Sequence, residues 1–490
     1  MGEHTWVAVV AALLALASRL PFLAQRLHDH DSVNFAHALS DFDLSRHSPH
    51  LPGYPLYVLL GRLAHALGAS DAAALTWPAV LGAVLASAAL ALWLAKSLGP
   101  ALALAGSALY LCLPDLWLAD ARPLSDGLGA HLVTVTLVLA ISSRQAASLA
   151  QQRWLARTAV LAAAALLAVR LSSWPIALGA VAWLVAADAD PRERRLRLGL
   201  LGGATLAWLI PLTWLAGGPV ALAQLALAFA QGHAGQWRGE GAAPAAWEQA
   251  QLWLQHLWSG GGLLLAGALA AAGAAWRNNP LLARGAVGAT AALAGSYALW
   301  MVLGQNPDRP RHILPLLVLL TVALLALAAA QRQRLVRLRP GLLLGFSALI
   351  LAACLAVGLP RLTTQRALPS PDMAMGAWLA GQPAEGLLVL GGSEVGVLRW
   401  QAPAVRSLRV ASSADLAALL RDPSARAPRL YASSRVGGLD SAQAAGMERS
   451  VVATFAARPG VDLAQQTLTL YRLQLPKGLA LSPSRSEEHP

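Results

Sequence analysis

Apolar residues in this chain come in long blocks rich in alanine and leucine, separated by short polar stretches, and no block shows the period-2 alternation of a barrel strand. Hydrocarbon offers no partner to backbone N–H and C=O groups, so such blocks cross a bilayer as helices. They predict spans at 5–22, 75–96, 100–118, 124–143, 157–170, 173–188, 197–217, 261–276, 284–304, 311–330 and 341–359, with a shorter apolar piece at 54–68. At about 1.5 Å of rise per residue, several are near the minimum for crossing about 30 Å of hydrocarbon. After Gly358 the apolar runs shorten and Ser, Asp, Gln and Pro become frequent. There 386–392, 403–410, 429–434 and 467–475 read as strands, and 413–422 as a helix capped by Ser412 or Ser413.

The predicted fold is an all-α polytopic membrane bundle of about 11 transmembrane helices plus juxtamembrane helices, carrying a small C-terminal extracytoplasmic α/β domain. The corresponding boundaries are 1–359 for the transmembrane module, 360–478 for the α/β domain and 479–490 for a disordered tail. Composition agrees: mean hydropathy is +0.52, with 56% apolar and 13% charged residues, which excludes an ordinary soluble domain. The formal charge of +12 raises nucleic acid as a partner. The arginines, however, gather in short connections at 144–157, 192–197, 277–284 and 332–339, where the positive-inside bias places them, so no nucleic-acid partner is expected.

With those connections cytoplasmic, 23–74 is a single outside segment and 54–68 lies against the outer face without crossing. The N-terminus is then inside and the C-terminal domain outside. A second large outside loop, 218–260, carries Trp237, Trp247, Trp253 and Trp258, a density suited to helices at headgroup level. Residues 5–22 resemble a signal peptide in length, but Arg19-Leu20-Pro21-Phe22 offers no small-residue cleavage site, so the block is read as a retained span. Cys112 and Cys354 both fall in apolar segments, where a cysteine behaves as a small hydrophobe.

The chemistry concentrates on the predicted outer face. Asp29 and Asp31 follow the first span, and as solvated interface charges they would need no further explanation. Three neighbours shift the balance: His28, His30 and His37, the acids Asp41 and Asp43, and the turn Ser48-Pro49-His50-Leu51-Pro52-Gly53-Tyr54-Pro55, whose prolines restrict the backbone as a catalytic loop requires. On the same face Arg122 and Asp126 enter one span, and Asp308, Arg309, Arg311 and His312 enter another. Snorkelling to lipid accounts for either arginine alone. It accounts less well for several cations on the face the positive-inside bias leaves poor in them, where planar donors suit phosphate or carboxylate. Arg170, inside an apolar run, either lines the same cavity or caps a short helix. A Gly391-Gly392-Ser393-Glu394 turn after a strand can hold an anion, but a structural turn is the better reading. No cofactor is required; a divalent metal held by Asp31, Asp126 and histidines stays open, since no ligand spacing compels it.

These motifs resemble the GT-C superfamily of membrane glycosyltransferases that use polyprenyl-phosphate-linked sugars, including the protein O-mannosyltransferase and aminoarabinose transferase branches. The likeness runs over roughly residues 1–330 and centres on Asp31-Ser32-Val33-Asn34-Phe35-Ala36 and Pro49-His50-Leu51-Pro52-Gly53-Tyr54-Pro55-Leu56-Tyr57, with Asp31-Ser32 standing where an Asp-Glu pair is commoner. The resemblance implies a multi-pass enzyme of the bacterial inner membrane, a hexosyl- or pentosyltransferase of cell envelope glycans. It would move a sugar with inversion from a polyprenyl-phosphate donor to an extracytoplasmic glycan, lipid or protein. It implies Asp31 as general base and Arg309 and Arg311 around the donor phosphate; the residues themselves add His312 and Arg122 as candidates for the phosphate, and Asp29, His30, His50 and Tyr54 as candidates beside the base or the acceptor. The C-terminal domain would help recognise that acceptor. Two alternatives remain: a ligase or polymerase acting on a lipid-diphosphate glycan, and a non-enzymatic lipid-glycan transporter. The clustering of polar residues at one face, rather than at the midplane, favours the transferase.

Overall fold

The structure, a computed structural model, describes residues 4–474 apart from 239–246, 259–260, 262–266, 268–284, 307–308, 332–339, 422–426, 441–446 and 463–465. Two compact units divide the chain: Met1–Arg26 with Asn34–Arg366, and Leu27–Val33 with Ala367–Pro490. In order, the helices are α1 (Thr5–Arg19), α2 (His30–Ser40), α3 (Pro55–Ala66), α4 (Asp71–Leu98), α5 (Pro100–Leu111), α6 (Pro114–Asp120), α7 (Asp126–Arg144), α8 (Leu149–Val169), α9 (Trp174–Ala186), α10 (Pro191–Leu215) and α11 (Pro219–Arg238). They continue with α12 (247–258), α13 (Ala286–Gly304), α14 (Leu314–Ala330) and α15 (Pro340–Ala367).

Among the described residues, 8 helices are long and apolar enough to cross a bilayer, and the pair α5–α6 makes a ninth if its 65° bend is one broken span. Leu113-Pro114 causes the bend, because proline starts α6 and pushes the preceding residue out of helical geometry. Two predicted spans complete the expected set. One, 173–188, is the 13-residue α9; the other, 261–276, lies outside the described residues except at 261 and 267. The 12-residue α3 rises only about 18 Å, which agrees with a segment that does not cross. The predicted boundary at 359 is passed: α15 runs on through Pro360 to Ala367.

Ion pairs fix which helix ends lie together. Arg153 reaches Asp190 at 2.7 Å, Arg157 reaches Glu193 at 2.7 Å, and Arg144 donates to the Ala187 carbonyl at 3.1 Å. The α7–α8 and α9–α10 connections therefore share one end of the bundle, and α8 with α9 forms an out-and-back pair rather than one kinked span.

The most buried of the candidate spans, α7, packs against α4, α8 and α14. Close approach needs glycine: a Cβ on Gly82 of α4 would sit 3.0 Å from His131. A chain of polar groups threads this apolar packing. Thr134 donates to the Tyr110 hydroxyl at 2.9 Å, and Tyr110 donates to Nδ1 of His131 at 2.8 Å. Nε2 of His131 then donates to Asp120 at 2.9 Å, and Asp120 pairs with Arg19 at 3.0 Å. All five side chains are buried. The sequence analysis gave none of the five this role, because along the chain they read as separate polar residues in or beside apolar blocks.

The second unit carries a five-stranded sheet in the order β2-β1-β3-β5-β4, with β1 (Leu387–Gly391), β2 (Arg406–Arg409), β3 (Arg429–Ser433), β4 (Glu448–Phe455) and β5 (Leu468–Gln474). β1 pairs in parallel with β2 and β3, while β5 is antiparallel to β3 and β4. Helices α16 (Pro371–Ala380), α17 (Val395–Gln401) and α18 (Ser413–Arg421) cover it. Strand alternation splits the core: Leu388 and Leu390 face Val410 and Leu416, whereas Leu387 and Val389 face Met375, Leu379 and Leu398. Ser412 and Asp415 cap α18 reciprocally, each side chain bonding the other's backbone N–H at 3.1 and 3.0 Å. Four strands match expectation. The fifth, β4, was missed because ERSVVATF sits at the sheet edge, largely solvated, and lacks a clean apolar alternation. The tail at 479–490 lies outside the described residues.

Asp120→Ala would leave the Arg19 guanidinium buried without its countercharge. We expect a loss of about 3–5 kcal/mol, read as a lowered thermal unfolding midpoint in detergent, with much of it recovered in Arg19→Gln/Asp120→Asn.

Candidate functional site

The acidic segment after the first span is a helix start, and its two aspartates divide the labour. Asp29 accepts the Ser32 N–H through Oδ1 at 3.0 Å, and the Ser32 hydroxyl accepts the Asp29 N–H at 2.8 Å. This reciprocal cap satisfies two backbone donors that a helix start leaves unpaired. Asp29, expected beside the base or the acceptor, is thus the structural cap of α2. Asp31 stands in the first turn, partly exposed, where the helix dipole favours negative charge. His30 packs its ring against Gly396 of α17, where an added Cβ would meet its Nδ1 and force the ring to shift.

Local hydrogen bonds hold the turn that follows α2. Asp43 accepts from Ser45 N–H at 2.8 Å, Ser45 hydroxyl at 2.6 Å and Arg46 Nε at 2.6 Å. These donors hold its carboxyl down at about 2. His47 and Tyr54 take left-handed backbone angles, φ 58 and 47, beside Gly53 at φ 87, and peptide bonds 48–49 and 51–52 are cis. Leu44 and Leu51 anchor the loop to Leu212 of α10, with Phe229 of α11 alongside. The structure brings His50 and Tyr54 together: His50 Nε2 lies 3.0 Å from the Tyr54 hydroxyl, the His50 ring stacks on Phe229 at 6.1 Å, and both rings meet Phe35.

The cations gather at the bundle end remote from the Arg153–Asp190 connection. Arg170, at the C-terminus of α8, reaches over Gly129 of α7 to pair with Asp126 at 2.8 Å. It also donates to Nδ1 of His312 at 3.1 Å, and Arg311 Nε approaches the same Asp126 oxygen at 4.0 Å. Tyr297 of α13 donates to the His312 carbonyl at 2.9 Å and fixes the start of α14. Arginine has only donors, so His312 carries its lone pair on Nδ1 and is neutral in this contact. It was counted among cations from sequence; here it orients one. Arg170 both caps its helix and lines the cluster. Arg309, partly buried, opens the 3₁₀ turn that leads into α14, and Arg122 is partly buried in the turn between α6 and α7. Asp308 lies outside the described residues.

A metal is poorly served by these groups. Asp126 is engaged by Arg170, and among the described residues no cluster of three His, Cys, Asp or Glu side chains is placed to hold an ion. The Gly391–Glu394 turn is filled by its own side chain: Glu394 accepts from Gly392 N–H at 2.8 Å and from Ser433, which makes it structural.

No protein-family model matches the chain, and no curated protein matches it in sequence. Solved structures do. ArnT from Cupriavidus metallidurans in the apo state superposes with TM-score 0.55 at 14% identity, covering 95% of this chain and 97% of that one. The same protein bound to undecaprenyl phosphate gives 0.54 at 14%, covering 96% and 98%. The Archaeoglobus fulgidus oligosaccharyltransferase, in complex with Zn and sulfate, gives 0.51 at 13%, covering 87% and 68%. At such identities the likeness is one of fold: an apolar helical bundle followed by a C-terminal α/β domain.

Because Asp43 is held below its unfolded value, its turn gains stability above about pH 4 and loses it as pH falls through about 2. Backbone amides of Ser45 and Arg46 should exchange slowly at neutral pH in the native protein and fast in Asp43→Asn. Equal protection in both at pH 7 would remove Asp43 as the organiser of this loop.

Proposed function

We propose that the chain is a membrane glycosyltransferase that moves a sugar from a polyprenyl-phosphate donor to an extracytoplasmic acceptor with inversion. The observation that carries this reading is the convergence of Arg170 and Arg311 on Asp126, with His312 orienting Arg170, at one end of an apolar bundle. Guanidinium groups gathered at one place present planar, permanently charged donors suited to an anionic headgroup. The shared fold with ArnT, which has been crystallised with undecaprenyl phosphate, is its second support.

The residues divide the chemistry as follows. An acceptor hydroxyl attacks the anomeric carbon, and the bond from that carbon to the phosphate oxygen breaks. Asp31 takes the hydroxyl proton as general base. The donor phosphodiester carries one negative charge and departs as a monoester approaching two, so cations are worth more as the bond breaks than before it. Arg309, Arg311 and Arg122 supply that charge, and Asp126, Arg170 and His312 hold the arrangement in place. A single displacement inverts the anomeric centre. No step needs a metal. His50 and Tyr54 form a rigid aromatic wall suited to stacking on a sugar face. With the arginine-rich connections cytoplasmic, the site opens to the periplasmic side of a bacterial inner membrane.

The reading is tested with radiolabelled sugar on a panel of polyprenyl-phosphate donors and membrane extract as acceptor. Asp31→Asn should bind donor but lose turnover by about 10²–10⁴-fold. Arg311→Ala should lose about 10²–10³-fold. A transporter would tolerate Asp31→Asn, and absence of transfer from every donor by folded protein would favour a ligase acting on lipid-diphosphate glycans. Cysteines placed at Ser45 and Asp440 should both label from the periplasm; cytoplasmic labelling of either overturns the sidedness.

A further inference from the structure

The segment that carries Asp31 belongs to the C-terminal unit, although more than 330 residues separate them in sequence. Its anchor is a buried arginine that sequence reading passed over. Arg458, in the turn after β4, is 3% exposed and forms a two-point ion pair with Asp462, Nε to Oδ2 at 2.7 Å and Nη2 to Oδ1 at 2.8 Å. Its Nη1 donates to the Leu368 carbonyl at 3.3 Å, and Nη2 donates to Nδ1 of His28 at 3.0 Å. Ser370, the N-cap of α16, donates to the His28 carbonyl. The Ser32 hydroxyl accepts the His28 N–H at 2.7 Å, which links the anchored residue to the cap of α2. His30 closes the arrangement by abutting Gly396.

We propose that Arg458 is a positioning residue for the acidic segment: with Asp462 and Ser370 it locks His28, and through His28 and the Asp29–Ser32 cap it sets the first turn of α2 and the place of Asp31. The proposal rests on the reading of Asp31 as base. It gives the C-terminal domain a task beyond acceptor recognition, that of holding the base. The chemistry requires this particular side chain. Only a guanidinium has enough fixed donors to satisfy both carboxylate oxygens, a carbonyl and an imidazole at once, so lysine cannot replace it. Holding His28 through Nδ1 also fixes the ring as the Nε2–H tautomer.

The test uses full-length protein in detergent with Arg458→Lys, Arg458→Met and Gly396→Ala. The last adds a Cβ against His30 inside a helix where alanine is otherwise the better residue, so it displaces the segment without weakening α17. Hydrogen exchange at residues 28–33 should rise in all three, with that of α7 and α14 unchanged. Turnover should fall by about 100-fold, the cost of a displaced reacting group, while the donor KM stays within about twofold. Asp31→Asn/Arg458→Met should be no slower than Asp31→Asn alone, since a base that is absent cannot be misplaced. Unchanged exchange at 28–33 overturns the proposal, as do native turnover in Arg458→Met and losses that multiply in the double variant. Faster exchange at 28–33 in a protein whose native form transfers no sugar supports the anchor and rejects the role of Asp31.

Discussion

A charge buried in an apolar bundle is tolerable only with its countercharge at contact distance, and this requirement organises the membrane unit. Asp120 and Asp126 bracket the short turn between α6 and α7. The first binds Arg19 of α1, and the second binds Arg170 at the end of α8 and meets Arg311 at the start of α14. Arg361 of α15 holds Asp115 of α6 at 2.7 Å in the same manner. Helices distant in sequence are thus pinned to one turn, and Arg122 lies within it. Displacing either acid would disturb packing and candidate site together, because the same pairs serve both.

The two ends of the bundle handle charge differently. At one end Arg153, Arg157 and Arg197 pair with Asp190, Glu193 and Asp188, which ties the α7–α8 and α9–α10 connections together. At the other, Arg170 and Arg311 converge on Asp126, and Arg170 also meets the His312 imidazole, while the loop held by Asp43 packs on α10 and α11.

How far the sequence revealed this depends on the range of the interaction. Span positions followed from apolar block length, and four strands of the small sheet followed from short apolar runs bounded by turn residues. The Asp29–Ser32 cap was also readable, since its members are three residues apart, yet the functional reading of two neighbouring aspartates obscured it. His131, Tyr110 and Asp120 gave no such signal: each is a single polar residue within an apolar block, and only helix packing makes them a chain. Arg458 and His28 are 430 positions apart, and nothing local to either marks the other.

The sequence by itself determined the architecture, a helical membrane bundle followed by a small α/β domain, because hydropathy acts through composition and through periods of a few residues. It also marked the chemically loaded segments, 28–55, 122–126 and 309–312, since charge and proline next to hydrocarbon are costly and therefore conspicuous. Tertiary structure decided what each group does there: Asp29 caps, Asp126 holds arginines, His312 accepts rather than donates at Nδ1, and the C-terminal unit carries the Asp31 segment. The physical reason is that a hydrogen bond or ion pair is specified by three-dimensional proximity within a few ångströms, which the order of residues along the chain does not encode locally.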